Sequence, residues 1–326
     1  MEPWRAHLII VVIALALDAM FGDPDWIWRR LAHPVALIGG LIAWLDRGLN
    51  REGWSRRVRK ATGVLAVLLL IVIAGVAGYL IEMALRQTQG SRLVPVAALG
   101  LVASVFLAQQ SLYRHVARVR LAFEEGGLTA AREAVAMIVG RDPESLDESG
   151  VARAAIESCA ENFSDGVVAP AVWLALCGLP GLIVYKAINT ADSMIGHRTP
   201  RHRDFGWAAA RLDDLLNLVP ARFASLLIAL VAPVAHGSIL ESLRTMRRDA
   251  PKHRSPNAGW PESAMAGALG IALAGPRRYG ESVVDDPFLN AEGRKDAAPD
   301  DIGRALKILI GACALEFVIY ALLLLL

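Results

Sequence analysis

The sequence predicts an all-α, polytopic integral membrane protein, a helical bundle with broken or re-entrant segments and a cytosolic helical insertion. Of its 326 residues, 55% are hydrophobic and only 20% are charged, and the mean hydropathy is +0.41, which is too apolar for a soluble domain of this length. The apolar residues are also clustered. Positions 61–81 and 305–326 are each a nearly uncharged stretch of about 20 residues, enough to cross a hydrocarbon core of roughly 30 Å.

Reading the chain for length and helix breakers gives six candidate membrane segments, at 8–20, 61–83, 93–112, 166–185, 216–235 and 305–326. The short first segment is interpreted as a retained helix, because Asp18 near its end and Asp23 and Asp25 after it stand where a signal peptide would have a small-residue cleavage site. Pro180 and Pro233 indicate that the fourth and fifth segments are broken or re-entrant. A seventh run, 264–274, is too short to cross alone and fits a half-span or a close-packed helix.

The distribution of basic residues gives a first topology. Lysine and arginine are concentrated between residues 46 and 60, and the positive-inside tendency places this loop in the cytoplasm. Continued alternation places 113–165 in the cytosol, as a helical subdomain of a single membrane-embedded domain spanning 1–326. Strict alternation would separate the polar groups on the two sides of 166–185, so we predict that this segment enters or is buried without crossing.

Several classes of function are disfavoured by the composition. The net charge is only +2 and the basic residues are dispersed in loops, which argues against a nucleic-acid partner. Cys159, Cys177 and Cys313 lack metal-ligand or redox spacing and are interpreted as reduced packing residues. The chain has no Gly-x4-Gly-Lys-Ser/Thr loop, so any nucleotide must be held by another arrangement.

The first polar cluster contains Glu157, Ser158, Glu161, Asn162, Ser164 and Asp165. On a helix, Glu157 and Glu161 are four residues apart and share a face with Arg153. Paired carboxylates beside a membrane segment suit magnesium, which prefers carboxylate and phosphate oxygens. The alternative is a solvated helix face whose charge is balanced by Arg153.

A second cluster follows an apolar segment and contains Lys186, Asn189, Thr190, Asp192, Ser193, Gly196, His197 and Arg198. Lysine and arginine near hydroxyls and an amide suit phosphate binding, and Gly196 permits a close backbone approach. The alternative is a polar helix terminus capped by Asn189 and Asp192.

The third cluster, Arg211, Asp213, Asp214, Asn217 and Arg222, leads into another apolar segment. Charges so close to an apolar helix are costly unless they are paired or functional, and both explanations stay open.

Two further clusters are weaker. Asp249, His253, Ser255, Asn257 and Glu262 are typical of a tight loop entering a helix, where Ser and Asn can simply be turn residues. Near the start of the chain, Asp23 and His33 lie beside the turn signal Asp23-Pro24.

Six sequence blocks occur in order along most of the chain: FGDP from Phe21, HPV from His33, ESCAENFSDGVVAP from Glu157, YKAINTADSMIGHR from Tyr185, FGWAAARLDDLLNLVPAR from Phe205 and DAPKHRSPNAGWPESAMAGALG from Asp249. Together they resemble the adenosylcobinamide-phosphate synthase family (CobD/CbiB). Six blocks in series are much more specific than any one of them.

The resemblance implies an ATP- and magnesium-dependent carbon–nitrogen ligase of cobalamin biosynthesis, integral to the cytoplasmic (inner) membrane with its active site facing the cytosol. It would join adenosylcobyric acid, a corrinoid, to (R)-1-amino-2-propanol O-phosphate (aminopropanol phosphate) or to aminopropanol. The product would be adenosylcobinamide phosphate or adenosylcobinamide, formed through an acyl phosphate. Membrane lipid and other membrane enzymes of cobalamin assembly are expected partners.

From the clusters and the resemblance together we infer a set of roles. Glu157, Glu161, Lys186 and Asp192 are assigned to catalysis, and Glu157, Glu161, Asp165, Asp213 and Asp214 to magnesium. Substrate or phosphate binding is assigned to Asp23, His33, Asn162, Ser164, Asn189, Thr190, Ser193, Arg198, Arg211, Arg222, His253, Ser255 and Asn257. The main alternative is a transporter of a charged substrate, which would also place polar residues beside broken helices but would not consume ATP.

Overall fold

The computed structural model describes residues 3–87, 93–139, 143–197, 199–279, 282–284 and 286–326. The chain is predominantly helical, which confirms the all-α prediction. In chain order the α-helices are α1 (Pro3–Phe21), α2 (Asp25–Trp28), α3 (Pro34–Leu49), α4 (Arg56–Arg86), α5 (Leu93–Ser104), α6 (Gln109–Ala136), α7 (Glu148–Phe163), α8 (Ala169–Ile195), α9 (Trp207–Leu216), α10 (Leu218–Val231), α11 (Ile239–Asp249), α12 (Gly259–Leu269) and α13 (Pro299–Leu323).

Short strands lie between α12 and α13: β1 (Leu273–Ala274), β2 (Arg277–Tyr279), β3 (Ser282–Val284) and β4 (Phe288–Leu289). β1 pairs antiparallel with β4, and β2 pairs antiparallel with β3. The sequence prediction did not include them. Their two or three residues each are too few for an independent sheet.

Six helical stretches of the described chain are long and apolar enough to cross a membrane: Trp4–Phe21, Arg56–Arg86, Leu93–Ala136, Glu148–Ile195, Leu218–Ala235 and Pro299–Leu323. Each overlaps one of the six segments expected from hydropathy, and the prediction of a polytopic membrane protein is confirmed. The side of the membrane on which each connection lies stays a prediction.

The chain divides into two compact units. Unit 1 comprises Met1–Ala108, Ala169–Asn217 and Tyr320–Leu326, and unit 2 comprises Gln109–Val168 and Leu218–Ile319. Segment 113–165, predicted to be a subdomain of its own, is thus grouped with a later part of the chain. Its location in the cytosol stays a prediction.

In unit 1, α8 packs against α1, α3, α4 and α9, and α1 packs against α5. The contact between α4 and α8 is close because α4 presents Gly78 there: a Cβ at this position would lie 2.7 Å from the Cα of Pro180. A side chain at position 78 would therefore force the two helices apart.

The predicted break in the fourth apolar segment lies at Gly178, where φ is 65° and ψ is −160°. Pro180 follows two residues later, as is usual near the start of a new helical piece. The carboxylate of Glu82 accepts a hydrogen bond from the backbone N–H of Leu179 at 3.1 Å, which satisfies one of the donors freed by the break. Whether this segment crosses the membrane or re-enters stays a prediction.

In unit 2, α12 packs against α7, α10 and α11. Residues Pro261–Leu269 are buried throughout, and the helix ends at Gly270, which has a φ of 69°. Of the two alternatives for the run 264–274, this matches the close-packed helix. Pro233 ends α10 in a 3-10 turn, Ala232–Ala235, as its position in the sequence indicates.

Candidate functional site

The second half of α8 and the end of α9 form a polar cluster in unit 1, which we call the Asp213 cluster (Asn189, Asp192, Asp213, Asp214 and Asn217). Asp213 is buried, and its two carboxylate oxygens accept hydrogen bonds from Asn189 Nδ2 at 3.2 Å and Asn217 Nδ2 at 3.0 Å. The hydroxyl of Tyr185 donates to Asn217 Oδ1 at 3.0 Å, which fixes the orientation of that amide. Two motif blocks thus converge on one carboxylate.

Three carboxylates in this cluster are close enough to interact electrostatically. Burial raises the pKa of Asp213 to about 7; the charges of Asp192 and Asp214 act in the same direction, and the two amide hydrogen bonds oppose them. Such mutual repulsion is relieved when a cation binds.

The donor chemistry of the Asp213 cluster fits magnesium, which usually takes one or two protein carboxylates and completes its shell with water and phosphate oxygens. Across the described ranges, no group of three or more His, Cys, Asp or Glu side chains is arranged to hold a metal ion by itself. The magnesium assignments of Asp213 and Asp214, and those of Glu157, Glu161 and Asp165, therefore stay predictions.

Other predicted residues of α8 make local contacts. The hydroxyls of Thr190 and Ser193 donate to backbone carbonyls one turn earlier, at 2.7 and 3.0 Å, and Lys186 is half-buried. Gly196 directly follows the end of α8, and a Cβ at position 196 would overlap the Asp192 carboxylate. The close backbone approach predicted for Gly196 is therefore made to a carboxylate of the same cluster.

Arg211 and Arg198 are two of the arginines predicted to bind phosphate. Arg211 is exposed and its guanidinium lies 3.3 Å from the Asp214 carboxylate, an ion pair that compensates its charge. Arg198 lies outside the described residues.

The loop after α8 is held by a network that the sequence analysis missed. Asp46 Oδ2 accepts two hydrogen bonds from Arg201, at 2.7 and 3.2 Å, and Asp46 Oδ1 accepts one from Asn50 at 2.7 Å. Arg59 donates to Asn50 and to the carbonyl of Arg201. Burial raises the pKa of Asp46, but the hydrogen bonds and the Arg201 charge outweigh it and hold this pKa below its usual value.

The weak N-terminal cluster proves to be a helix start. His33 Nδ1 accepts a hydrogen bond from the N–H of Val35 at 3.1 Å and caps α3, while His33 Nε2 lies 3.6 Å from the Asp23 carboxylate. A substrate-binding role for Asp23 and His33 stays a prediction.

In unit 2, the first cluster does not form one solvated face. Glu157 is only 3% exposed and accepts a hydrogen bond from the N–H of Ala274 at 2.7 Å, whereas Glu161 is exposed. Arg153 donates to the carbonyl of Lys295, and it has no carboxylate partner among the described residues. The alternative of a solvated face balanced by Arg153 is thus wrong for Glu157. Helical spacing places Glu157 and Glu161 on one face, but only Glu157 is covered by other parts of the fold.

The residues after Glu161 include a turn of π-helix, Ser164–Val168. Such turns are rare and frequently occur at functional sites. Asn162 is exposed and donates to the carbonyl of Ser158 at 2.9 Å, Asp165 is half-buried, and the buried hydroxyl of Ser164 has no hydrogen-bond partner among the described residues. Their substrate-binding and metal roles stay predictions.

In the fourth cluster, His253 and Ser255 build the turn before α12. His253 Nδ1 accepts from the N–H of Ser255 at 3.1 Å, and Ser255 Oγ accepts from the N–H groups of Asn257 and Ala258 at 3.2 and 3.1 Å. These contacts are those of the turn-residue alternative. They also fix Asn257, whose side chain contacts Arg222 on α10.

The same loop begins after Asp249, a buried carboxylate with several hydrogen-bond donors around it. Asp249 is 1% exposed and accepts hydrogen bonds from Arg248 at 2.8 and 2.9 Å, from Lys252 Nζ at 2.7 Å and from the N–H of Asn290 at 2.8 Å. Burial alone would raise the pKa of Asp249, but these donors lower it to about 2.

Comparison with known proteins confirms the family that the six blocks resemble. A family model described as CobD/Cbib protein matches residues 11–309. The chain is 51% identical over 315 residues to the cobalamin biosynthesis protein CobD of Rhizobium meliloti (strain 1021), with 94% of each chain covered. It is 50% identical to CobD of Brucella anthropi, with 92% of each chain covered, and 48% identical to CobD of Rhodobacter capsulatus, with 92% of this chain and 91% of the relative covered. No solved structure matches the chain.

Proposed function

The chain belongs to the CobD/CbiB family, and we propose that it is an enzyme of cobalamin biosynthesis that forms adenosylcobinamide phosphate. Relatives that are about half identical over more than nine-tenths of its length carry the name cobalamin biosynthesis protein CobD. The observation that carries the proposal is the Asp213 cluster, because it joins Tyr185 and Asn189 of one motif block to Asn217 of the next around one buried carboxylate.

The proposed reaction is an ATP-dependent amide ligation. A carboxylate is a poor acyl donor, so an oxygen of the corrin carboxylate first attacks the γ-phosphorus of ATP, ADP leaves, and an acyl phosphate forms. The amine of aminopropanol phosphate then attacks the acyl carbon, the bond to the phosphate oxygen breaks, and the amine loses a proton. The products are the amide, ADP and inorganic phosphate.

Both steps move charge on phosphate oxygens, so the site needs cations and fixed hydrogen-bond donors. Magnesium, when bound with ATP, would neutralise phosphate charge, and one or two carboxylates of the Asp213 cluster would hold it. Lys186, one turn before Asn189 on α8, is proposed to add positive charge at the same cluster.

The test is an ATP-consumption assay on the purified full-length chain in detergent, with adenosylcobyric acid and aminopropanol phosphate supplied together or singly. We expect ADP release that requires both substrates, and an amide product detected by mass spectrometry. Asp213→Asn should lower kcat by about 100-fold or more. Asp296→Asn, a change at an exposed carboxylate, is the control and should leave kcat unchanged. ADP release without amide formation would refute the proposal.

A transporter of a charged substrate is the second candidate, and one observation favours it. α8 is broken at Gly178 within an apolar stretch, and Glu82 caps the break, as in broken helices that line substrate pathways. Uptake of a labelled substrate into proteoliposomes without ATP consumption would support transport over ligation.

The proposed enzyme lies in the cytoplasmic membrane with its site facing the cytosol, where ATP and the corrinoid acid are made. Its substrates and membrane lipid are the expected partners, together with other membrane enzymes of cobalamin assembly. Six apolar helical stretches support the membrane location.

A further inference from the structure

Arg222 occupies an unusual environment in unit 2. It lies in the second turn of α10, within a stretch apolar enough to cross a membrane, and it is half-buried. Its Nη1 donates to the carbonyl of Leu218 at 2.8 Å and to Asn257 Oδ1 at 2.9 Å. The guanidinium carbon lies 4.5 Å from the centre of the Trp260 ring. Two hydrogen bonds and one ring therefore fix the guanidinium plane.

The charge of Arg222 is not compensated within the described chain, because none of its partners there is a carboxylate. Arg304, in a comparable half-buried position at an apolar helix, shows the usual arrangement: it donates to the carbonyls of Ala235 and Leu269 and also pairs with Asp301 at 3.1 Å. A cation in an apolar helix is costly unless it is paired or functional. Arg222 thus retains a positive charge that an anion would stabilise.

The geometry also shows where the anion would bind. Both protein hydrogen bonds of Arg222 use Nη1, so the edge formed by Nε and Nη2 has no hydrogen-bond partner among the described residues. This edge offers two parallel N–H groups, the arrangement with which arginine binds phosphate or carboxylate oxygens in pairs. The backbone of Asn257 is held by the turn, because Ser255 Oγ accepts a hydrogen bond from its backbone N–H. The edge is therefore preorganised.

We propose that the Nε–Nη2 edge of Arg222 binds the phosphate oxyanion of a substrate, either aminopropanol phosphate or ATP. The inference rests on the proposed function and sharpens it. Of the two predicted phosphate-binding arginines that the structure describes, Arg211 is paired with Asp214, whereas Arg222 has a fixed plane and no carboxylate partner among the described residues. Asn257 and Trp260 act as positioning residues for it.

The proposal is tested by ligand binding, which does not depend on turnover. The purified full-length chain in uncharged detergent is titrated with aminopropanol phosphate, with aminopropanol, with magnesium ATP and with inorganic phosphate, and thermal stabilisation gives each affinity. Arg222→Lys keeps the positive charge but cannot offer two parallel N–H groups. It should lower the affinity for at least one phosphate-bearing ligand by roughly 10- to 100-fold and leave the affinity for aminopropanol unchanged. Asn257→Ala should lower the affinity for the same ligand by a smaller factor.

The matched control is Arg304→Lys, which alters a half-buried, carbonyl-bonded arginine whose charge is already paired. It should leave phosphate affinity unchanged. The ligand whose affinity falls identifies the source of the phosphate, since aminopropanol phosphate and ATP are titrated separately. Unchanged affinity for every phosphate-bearing ligand in both Arg222→Lys and Asn257→Ala would overturn the proposal.

A further arm adds phosphatidylglycerol or phosphatidylcholine to the detergent. If Arg222→Lys alters only the response to the anionic lipid, the edge contacts a lipid headgroup and the assignment to a substrate is wrong. If phosphate binding depends on Arg222 but no amide forms with both substrates, the phosphate site stands and the proposed ligation fails.

Discussion

Replacing Asp249 by asparagine should destabilise the folded chain in a pH-dependent way. The carboxylate is 1% exposed and takes four hydrogen bonds, from Arg248, Lys252 and the N–H of Asn290. Asparagine is nearly isosteric, so the change removes the charge and leaves the packing. It also replaces one accepting oxygen by an NH2 group, which can only donate and would face other donors, and it leaves two cations without their partner.

The magnitude follows from the pKa of Asp249, which is lowered from 3.8 in its usual state to about 2 in the fold. Each pKa unit corresponds to about 1.4 kcal/mol, so the ionised carboxylate contributes roughly 2 kcal/mol to the free energy of unfolding. Because the folded pKa is the lower one, this contribution is fully present above about pH 4 and is lost as the pH falls toward about 2. Arg248 and Lys252 are half exposed and can be solvated, which keeps the loss at pH 7 near this figure.

The assay is reversible denaturation in uncharged detergent at several pH values between 7 and 2.5, comparing the original chain, Asp249→Asn and the exposed control Asp296→Asn. We expect a difference of roughly 2 kcal/mol at pH 7 for Asp249→Asn that shrinks below about pH 4, and no difference for the control. A difference that is the same at all pH values, or absent at pH 7, would refute the linkage argument.

Two further predictions concern unit 1. Gly196→Ala should displace the Asp192 carboxylate and reduce kcat in the ATP-consumption assay without unfolding the chain. The control Gly53→Ala, at an exposed glycine with open space around it, should leave kcat unchanged. Equal kcat values for the two variants would show that the position of Asp192 is unimportant. A double-mutant cycle of Asp46→Asn and Arg201→Lys should give a coupling energy of about 1 kcal/mol in the free energy of unfolding, since the pair is hydrogen-bonded but Arg201 is partly exposed. Additive effects of the two substitutions would show that the pair does not stabilise the fold.

The membrane helices and the break in the fourth apolar segment were predictable because they depend on local composition. Length and hydropathy locate the apolar stretches, and a glycine followed two residues later by proline marks the break at Gly178. Contacts between neighbouring helical turns were also predictable from the sequence. Asp213 and Asn217, four residues apart, are hydrogen-bonded as their spacing indicates.

Contacts between distant parts of the chain were not predictable from spacing. Asp46 and Arg201 are 155 positions apart, and neither stood out until the fold placed them 2.7 Å from each other. Nothing in the sequence singles out Trp260, yet its ring lies 4.5 Å from the guanidinium carbon of Arg222. Spacing also could not show that Glu157 is buried while Glu161 is exposed, because burial depends on which elements pack against the helix.

The prediction that all polar motifs open toward the cytosol can be tested by labelling, and the structure determines where the cysteines should be placed. Ser164 is 1% exposed and would not react, whereas Asn162, Ser193 and Arg254 are exposed. Each would be changed to cysteine in a chain whose exposed Cys177 is replaced by serine. A membrane-impermeant maleimide should label all three in inverted vesicles and none in intact cells. Because ATP and the corrinoid acid are cytosolic, labelling of any of the three from the periplasm would separate that motif from the proposed substrates and defeat the one-sided site.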